Sequence, residues 1–279
     1  MLHTVIETTL FPHEKSIKGL TRILNKAVKK AWKRTKNYFQ LIQKTQNNDE
    51  RLILRRSAEE DSRRIILDIV NNSRLCKVCS ISTENAWKPR WWQSFTLVID
   101  ALDGMNNFKL GIPNFSVSAA ILKWNEILFW VVYHPMLNSL YTAYKNQWAF
   151  KNGIAIHVND IEDIEQATVS YIHEHRRIPA SIRCSIFGEL VDQKIKRFMM
   201  DWSPSNNFCL LAEWKIEGVM CNQESLYDFC AGKIIAHEAG WLLSYMDPLK
   251  QVDTNDTFVI SNRSTLLNKK LTQIFKKYV

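Results

Sequence analysis

A mixed α/β fold is what this sequence predicts, and three patterns carry the prediction. The first 70 residues read as amphipathic helices, Phe95 to Ala143 is a succession of strand-length apolar runs, and after Asn152-Gly153 short strands and helices alternate. With 279 residues, 46% of them hydrophobic, the chain can bury one large core or two fused halves. A boundary is expected near residue 153, dividing a 1–152 half from a 153–279 half within one compact unit.

In chain order, Leu20, Ile23, Leu24, Ala27, Val28 and Ala31 recur at helical spacing, an apolar stripe on a helix whose other face is basic. Residues 47–61 open with turn formers and lead into a second helix through Ile65, Ile66 and Ile69 to about Val70. Val78–Ile81 is strand-like, and a connection holding Trp87, Trp91 and Trp92 follows. Phe95–Ile99 reads as a buried strand ending on Asp100. Phe115–Leu122, Ile127–Tyr133 and Ser139–Ala143, separated by turns, predict an antiparallel meander. Then come a strand at Ala167–Ile172, helices around Phe187–Phe198 and Cys209–Trp214, the segment Asp228–Ala239, a strand at Thr257–Ser261 and a closing helix from Ser264 to Phe275.

Composition excludes several classes. No run approaches the ~20 apolar residues of a membrane span, and the N-terminus lacks a secretory layout, so a cytoplasmic protein without membrane contact is expected. Six scattered cysteines make no disulfide framework; Cys76 and Cys79 have zinc-ligand spacing but no matching second pair, which predicts buried thiols. His173-Glu174-His175 and His237-Glu238 lack the His-Glu-x-x-His spacing of a zinc hydrolase. Walker, nucleophile-elbow and dinucleotide motifs are absent. Only 8 glycines occur, against about 20 at average usage, and Trp reaches 10, so turns that favour glycine are expected to be filled by bulk.

The net charge of +9 has a local origin. Lys15, Lys18, Arg22, Lys26, Lys29, Lys30, Lys33, Arg34 and Lys36 are cations in a segment without one acid, and outside it 28 basic residues face 28 acidic ones. A solvated helix face is the plain reading. Positions 22, 26, 29, 30 and 33 share a face partly, which is what contact with RNA or an acidic protein would need, although aromatics for base stacking are sparse.

The sharpest motif is Val98-Ile99-Asp100-Ala101-Leu102-Asp103-Gly104-Met105-Asn106-Asn107-Phe108. Two carboxylates three apart at the end of a buried strand, followed by Gly, converge where oxygen ligands hold a hard divalent cation; alone, the same pattern also suits an Asp-rich turn capping a helix. The motif resembles the D-P-[IL]-D-G-T-x-N-F signature of the inositol monophosphatase family, especially its bacterial extragenic-suppressor type. Tyr227-Asp228-Phe229-Cys230-Ala231-Gly232 through Glu238-Ala239-Gly240-Trp241 is similar to the second signature, W-D-x-A-A-G-x-x-I-x-x-E-A-G-G. Between them, Trp130–Met136 and Ala149–Gly153 resemble G-V-V-Y-x-P and G-A-x-x-N-G. The resemblance runs from about Leu20 to the C-terminus.

It implies a layered αβαβα sandwich of the inositol monophosphatase and sugar phosphatase type, a homodimer, and Mg²⁺-dependent hydrolysis of a small, inositol-phosphate-like monoester. It further implies that Asp100, the Leu102 carbonyl, Asp103 and Asp228 hold Mg²⁺, that Asp103 is catalytic, and that Gly104 and Met105 onward present amides to phosphate. Departures sit in the same site. Thr83, in Ile81-Ser82-Thr83-Glu84-Asn85, replaces a ligand Glu, leaving Glu84 as the candidate catalytic and metal-binding substitute, although on a strand it points to the opposite face. Met105 replaces the Thr that orients the attacking water. At the substrate, Cys221 replaces a Glu, and Trp202-Ser203-Pro204 replaces Gly-Ser/Thr-Ala, with Ser203 retained. Lys145–Ala149 places Trp148 at another glycine, and Leu52–Arg56, similar to V-T-x-x-D, brings Arg where a carboxylate belongs. These departures predict weak or lost turnover. The alternative is a catalytically silent member acting in transcription antitermination through the basic helix at 15–36, since relatives of the suppressor type take part in that process.

Overall fold

The computed structural model describes residues 14–73, 79–83, 95–123, 126–173, 178–222, 234–246 and 257–279. Helix α1 (Glu14–Lys44) is the expected amphipathic helix, extended by two turns at its C-terminus. Leu24, Ala27, Val28, Ala31, Phe39 and Ile42 are buried, and Arg22, Lys26, Lys29, Lys30, Lys33, Arg34 and Lys36 are exposed. Asn47 then caps α2 (Asn48–Asn71), its side chain accepting from the amides of Asp49 and Glu50. The two helices fold back on each other, with the Tyr38 hydroxyl donating to Asp61 at 2.8 Å.

The meander is larger than the sequence patterns indicated. Strands β1 (Cys79–Thr83), β2 (Phe95–Asp103), β3 (Ser116–Lys123), β4 (Glu126–His134), β5 (Ser139–Tyr144), β6 (Gln147–Lys151) and β7 (Ile154–Ile156) form one sheet in sequence order. β1 and β2 are parallel, and every later pair is antiparallel. The apolar runs are continuous because both faces of this sheet are buried. On β3 and β4, Val117, Ala119, Ile121, Phe129, Val131 and Tyr133 face the core under α1 and α2, and Ala120, Leu122, Trp130 and Val132 face the opposite core.

That opposite core also takes Phe208, Cys209, Leu211 and Ala212 of α5 (Pro204–Ala212) and Ile234, Ile235 and Ala236 of the helical segment α6 (234–238). Beyond these helices stands a second sheet of β8 (Thr168–His173), β9 (Arg197–Met199), β10 (Gly218–Asn222), β11 (Leu242–Tyr245) and β12 (Phe258–Ser261), in the order β11-β12-β10-β8-β9. Its far face buries Val169, Tyr171, Met220 and Val259 against Ile186 and Leu190 of α4 (Ala180–Asp192) and Leu267, Leu271 and Phe275 of α7 (Thr265–Lys276). Five layers result: α1 and α2, a sheet, α5 and α6, a sheet, α4 and α7.

Three details differ from the sequence expectations. β2 does not stop at Asp100 but continues to Asp103. The helix expected around Phe187–Phe198 lies at Ala180–Asp192, because Lys194 turns left-handed (φ 56°) and 197–199 pairs with β8 as an edge strand. β10 and β11 went unmarked because their short apolar runs carry no period that separates strand from helix. Asn138, Asn146, Asn152, Lys194, Trp202 and Trp214 all have positive φ, so non-glycine residues do fill left-handed turns in this glycine-poor chain. The Trp-rich connection and Cys76 lie outside the described residues.

Candidate active site

A bulge brings the two motif carboxylates to one side of the sheet. β2 pairs with β3 in regular register up to Asp100↔Ser118 and resumes at Asp103↔Ser116, one residue more on β2 than on β3. In an unbroken strand, residues three apart face opposite sides. Here Ala101 and Leu102 both join the core under α1 and α2, which returns Asp103 to the side Asp100 faces. Ser62 of α2 donates to the Ala101 carbonyl at 2.8 Å, and the Leu102 amide donates to Asp100 Oδ1 at 3.0 Å, so the bulge is held from both directions. Gly104 follows at φ 79°, where an added Cβ would lie 2.8 Å from the Asn114 carbonyl oxygen. Only glycine makes this turn into the short helix α3 (Met105–Leu110).

Both carboxylates are buried. Asp103 Oδ2 accepts from Ser203 Oγ at 2.9 Å, the Ser205 amide at 3.1 Å and Ser116 Oγ at 3.2 Å. Asp103 therefore ties β3 and the start of α5 to the bulge. Burial nonetheless raises its carboxyl to about 7, against the effect of these donors. Beside it, Asp201 accepts from Asn207 at 2.7 Å and Asn114 at 3.1 Å, while Asn107 donates to the Asp201 carbonyl at 2.7 Å. This network was not singled out in the sequence; its signal is the density of Ser and Asn in Asp201-Trp202-Ser203-Pro204-Ser205-Asn206-Asn207, next to a helix start.

The altered positions have definite places. Met105 opens α3 and packs against the core under α1 and α2, and Arg55 of α2 directs Nη1 to its Sδ at 2.9 Å. Trp202 adopts φ 54° and is 49% exposed, so a glycine-like turn here carries an indole outward. Pro204 follows Ser203 as the first residue of α5 and has no amide hydrogen to offer a ligand. Trp148 is exposed, and Asn146 of the same turn donates its amide to Glu238 at 2.8 Å. Cys221 is fully buried in β10, between β8 and β12. Thr83 ends β1, beside Ile99 of β2. Glu84 and Asp228 lie outside the described residues.

A sequence profile of the inositol monophosphatase family matches residues 15–279. The chain belongs to the inositol monophosphatase family. Among its relatives, a fructose-1,6-bisphosphatase/inositol-1-monophosphatase of Aquifex aeolicus is 31% identical over 183 residues, 65% of this chain and 67% of that protein. A protein of Vibrio cholerae named Nus factor SuhB is 27% identical over 208 residues, 73% of this chain and 75% of that protein. The crystal structure of the extragenic suppressor protein SuhB from Bartonella henselae superposes with a TM-score of 0.80 over 94% of this chain and 100% of that one, at 18% identity. The layered αβαβα architecture expected from the resemblance is thus the observed one.

The donors at the bulge are all oxygens: two buried carboxylates and the Leu102 carbonyl. That set suits a hard divalent cation. Among the described residues alone, no group of three or more His, Cys, Asp or Glu side chains converges on a cation site.

Proposed function

We propose that this chain is a slow, Mg²⁺-dependent hydrolase of a small phosphate monoester of the inositol phosphate kind. The observation that carries the reading is the β2 bulge, which buries Asp100 and Asp103 together on one side of the sheet. Asp100, Asp103, Asp228 and the Leu102 carbonyl would hold the cation, with Glu84 as substitute for the ligand missing at Thr83. Bound Mg²⁺ would supply charge neutralisation of the ester oxygens and acidification of water. The left-handed turn at Gly104 starts α3, whose first amides, from Met105 onward, would bind the phosphate. Ser203 and Cys221 are the candidate substrate-side positions; Ser203 acts through Asp103, whose orientation it fixes. Met105 neither accepts nor donates a proton usefully, so no side chain there orients the attacking water, and turnover is slow.

The test is phosphate release from inositol 1-phosphate and an aryl phosphate, with and without Mg²⁺. The expected outcome is slow, Mg²⁺-dependent release by the wild type that Asp103→Asn abolishes, and faster release by Thr83→Glu, Met105→Thr. No release above buffer from either the wild type or the double variant would overturn the reading.

A second reading is favoured by the Arg55–Met105 contact: a catalytically silent member that binds RNA or a transcription factor through α1. Arg22, Lys26, Lys29, Lys30 and Lys33 are all exposed on that helix, and the Vibrio cholerae relative carries the name Nus factor. Under this reading partner binding persists in Asp103→Asn and weakens when Lys26, Lys29, Lys30 and Lys33 are neutralised. A homodimer in the cytoplasm accompanies either reading; among the described residues no helix is long and apolar enough to cross a membrane.

A further inference from the structure

We propose that a groove at the end of α5 remote from Asp103 binds a nucleotide, free or as the 5′-terminal residue of a single-stranded RNA. The groove, of about 320 Å³, is lined by His157, Asn159, Asp160, Trp214 and Arg263. α5 is nine residues long, and Asp103 sits at its start, so the groove lies roughly 13 Å along the helix from the carboxylate site. The inference stands whether or not the chain is a phosphatase.

Trp214 is the unusual element. It occupies the position just past the C-cap of α5, where its amide donates to the Leu211 carbonyl and the Lys215 amide to the Leu210 carbonyl, the hydrogen-bond pattern that glycine normally closes. Its φ is 65° and it is 60% exposed, so a strained backbone carries a large indole into solvent without burying it. Lys215 places Nζ 4.7 Å from the ring centroid over one face of the indole, and the exposed remainder of the ring is the surface a planar partner would cover. Arg263 lies across Gly240, where a Cβ would come within 3.0 Å of Nε.

Among the described residues, the side chains of His157, Asp160 and Arg263 make no hydrogen bond or ion pair. An exposed indole with the Arg263 guanidinium in the same groove suits a stacked base carrying a phosphate, and a single carboxylate suits ribose hydroxyls. A neutral sugar would use the carboxylate and the indole but leave Arg263 idle, which is why a nucleotide, with its phosphate, is favoured.

The test is calorimetric titration of the full chain in EDTA with AMP, adenosine, inorganic phosphate, inositol 1-phosphate and a 5′-phosphorylated oligoadenylate. AMP is expected to bind with a Kd on the order of 0.1 mM, and adenosine, phosphate and inositol 1-phosphate at least about tenfold more weakly. Trp214→Gly and Arg263→Gln should each weaken AMP by about tenfold. Glycine adopts the left-handed turn freely, so Trp214→Gly melts at or above the wild-type temperature and isolates the loss of the indole. Oligoadenylate binding tighter than AMP supports the site with an RNA end as ligand; equal or weaker binding supports it with the free nucleotide. Absence of AMP binding at millimolar concentration, or AMP binding unchanged in Trp214→Gly, overturns the proposal.

Discussion

The guanidinium of Arg55 lies against the thioether of Met105, with Nη1 2.9 Å from Sδ. Arg55 Nε is buried without a hydrogen-bond partner, so a cation is held beside the start of α3 by one weak acceptor. The register read from sequence, Leu52–Arg56 on V-T-x-x-D, sets Arg56 at the expected carboxylate; in the structure it is Arg55 that faces Met105, while Arg56 is exposed.

This contact makes the two changes interdependent. Met105→Thr alone restores a hydroxyl beside a guanidinium and is expected to gain little. Arg55→Asp with Met105→Thr restores an acceptor and a hydroxyl together, with an expected gain in Mg²⁺-dependent phosphate release of about 10²-fold. Equal rates for the single and double variants would show that Arg55 does not block the site.

Gly104 is required by its surroundings as well as by its φ. In Gly104→Ala the new Cβ meets the Asn114 carbonyl at 2.8 Å and Phe115 Cα at 3.1 Å, both backbone atoms. A loss of about 2 kcal/mol or more is expected in denaturant unfolding, together with loss of Mg²⁺ binding by calorimetry. Wild-type stability in this variant would mean that the turn relaxes freely.

Trp214→Gly should do the opposite. Removing a side chain from a left-handed helix end at φ 65° relieves strain, with an expected gain of about 1 kcal/mol read from urea unfolding. A destabilised variant would show that the indole packs productively.

Phe108 of α3 stacks edge-on against Phe115, with ring centroids 4.9 Å apart, and both touch Phe39 of α1. Phe108 is fully buried, so Phe108→Ala is expected to cost about 3–5 kcal/mol, and to loosen the turn that follows Asp103. Unfolding that matches the wild type would remove this cluster as the support of the site.

Asp61 gives a pH signature. The Tyr38 hydroxyl, joined by Arg64 and Arg34, holds its carboxyl below the usual carboxylate range despite partial burial. A carboxylate depressed in the folded state adds stability above its unfolded pKa of about 4 and loses it as pH falls through the folded value. The stability gap between wild type and Asp61→Asn should therefore be full at pH 6 and shrink from about pH 5 downward. A gap independent of pH would assign the effect to packing.

The sequence by itself determined the fold class, the family and the buried face of α1. Periodicity was enough, because Leu24, Ala27, Val28 and Ala31 bury one helix face whatever they pack against, and the meander runs are apolar at both parities because both sheet faces are covered. Spacing also marked Asp100 and Asp103, and the glycine-like turn expected at Trp202 is left-handed, whereas Trp214, read as the end of a helix, turns left-handed just past it. Only the tertiary structure decided how these residues are used. Two carboxylates three apart on a regular strand would point apart; the extra residue opposite Ser116–Ser118, a property of strand pairing rather than of local composition, turns them to one side. Which of two adjacent arginines meets Met105 depends on how α2 sits over β2, and the serine and asparagine cradle around Asp103 and Asp201 joins residues about a hundred positions apart. Local sequence carries no record of such contacts, because the free energy that selects them comes from packing the layers together.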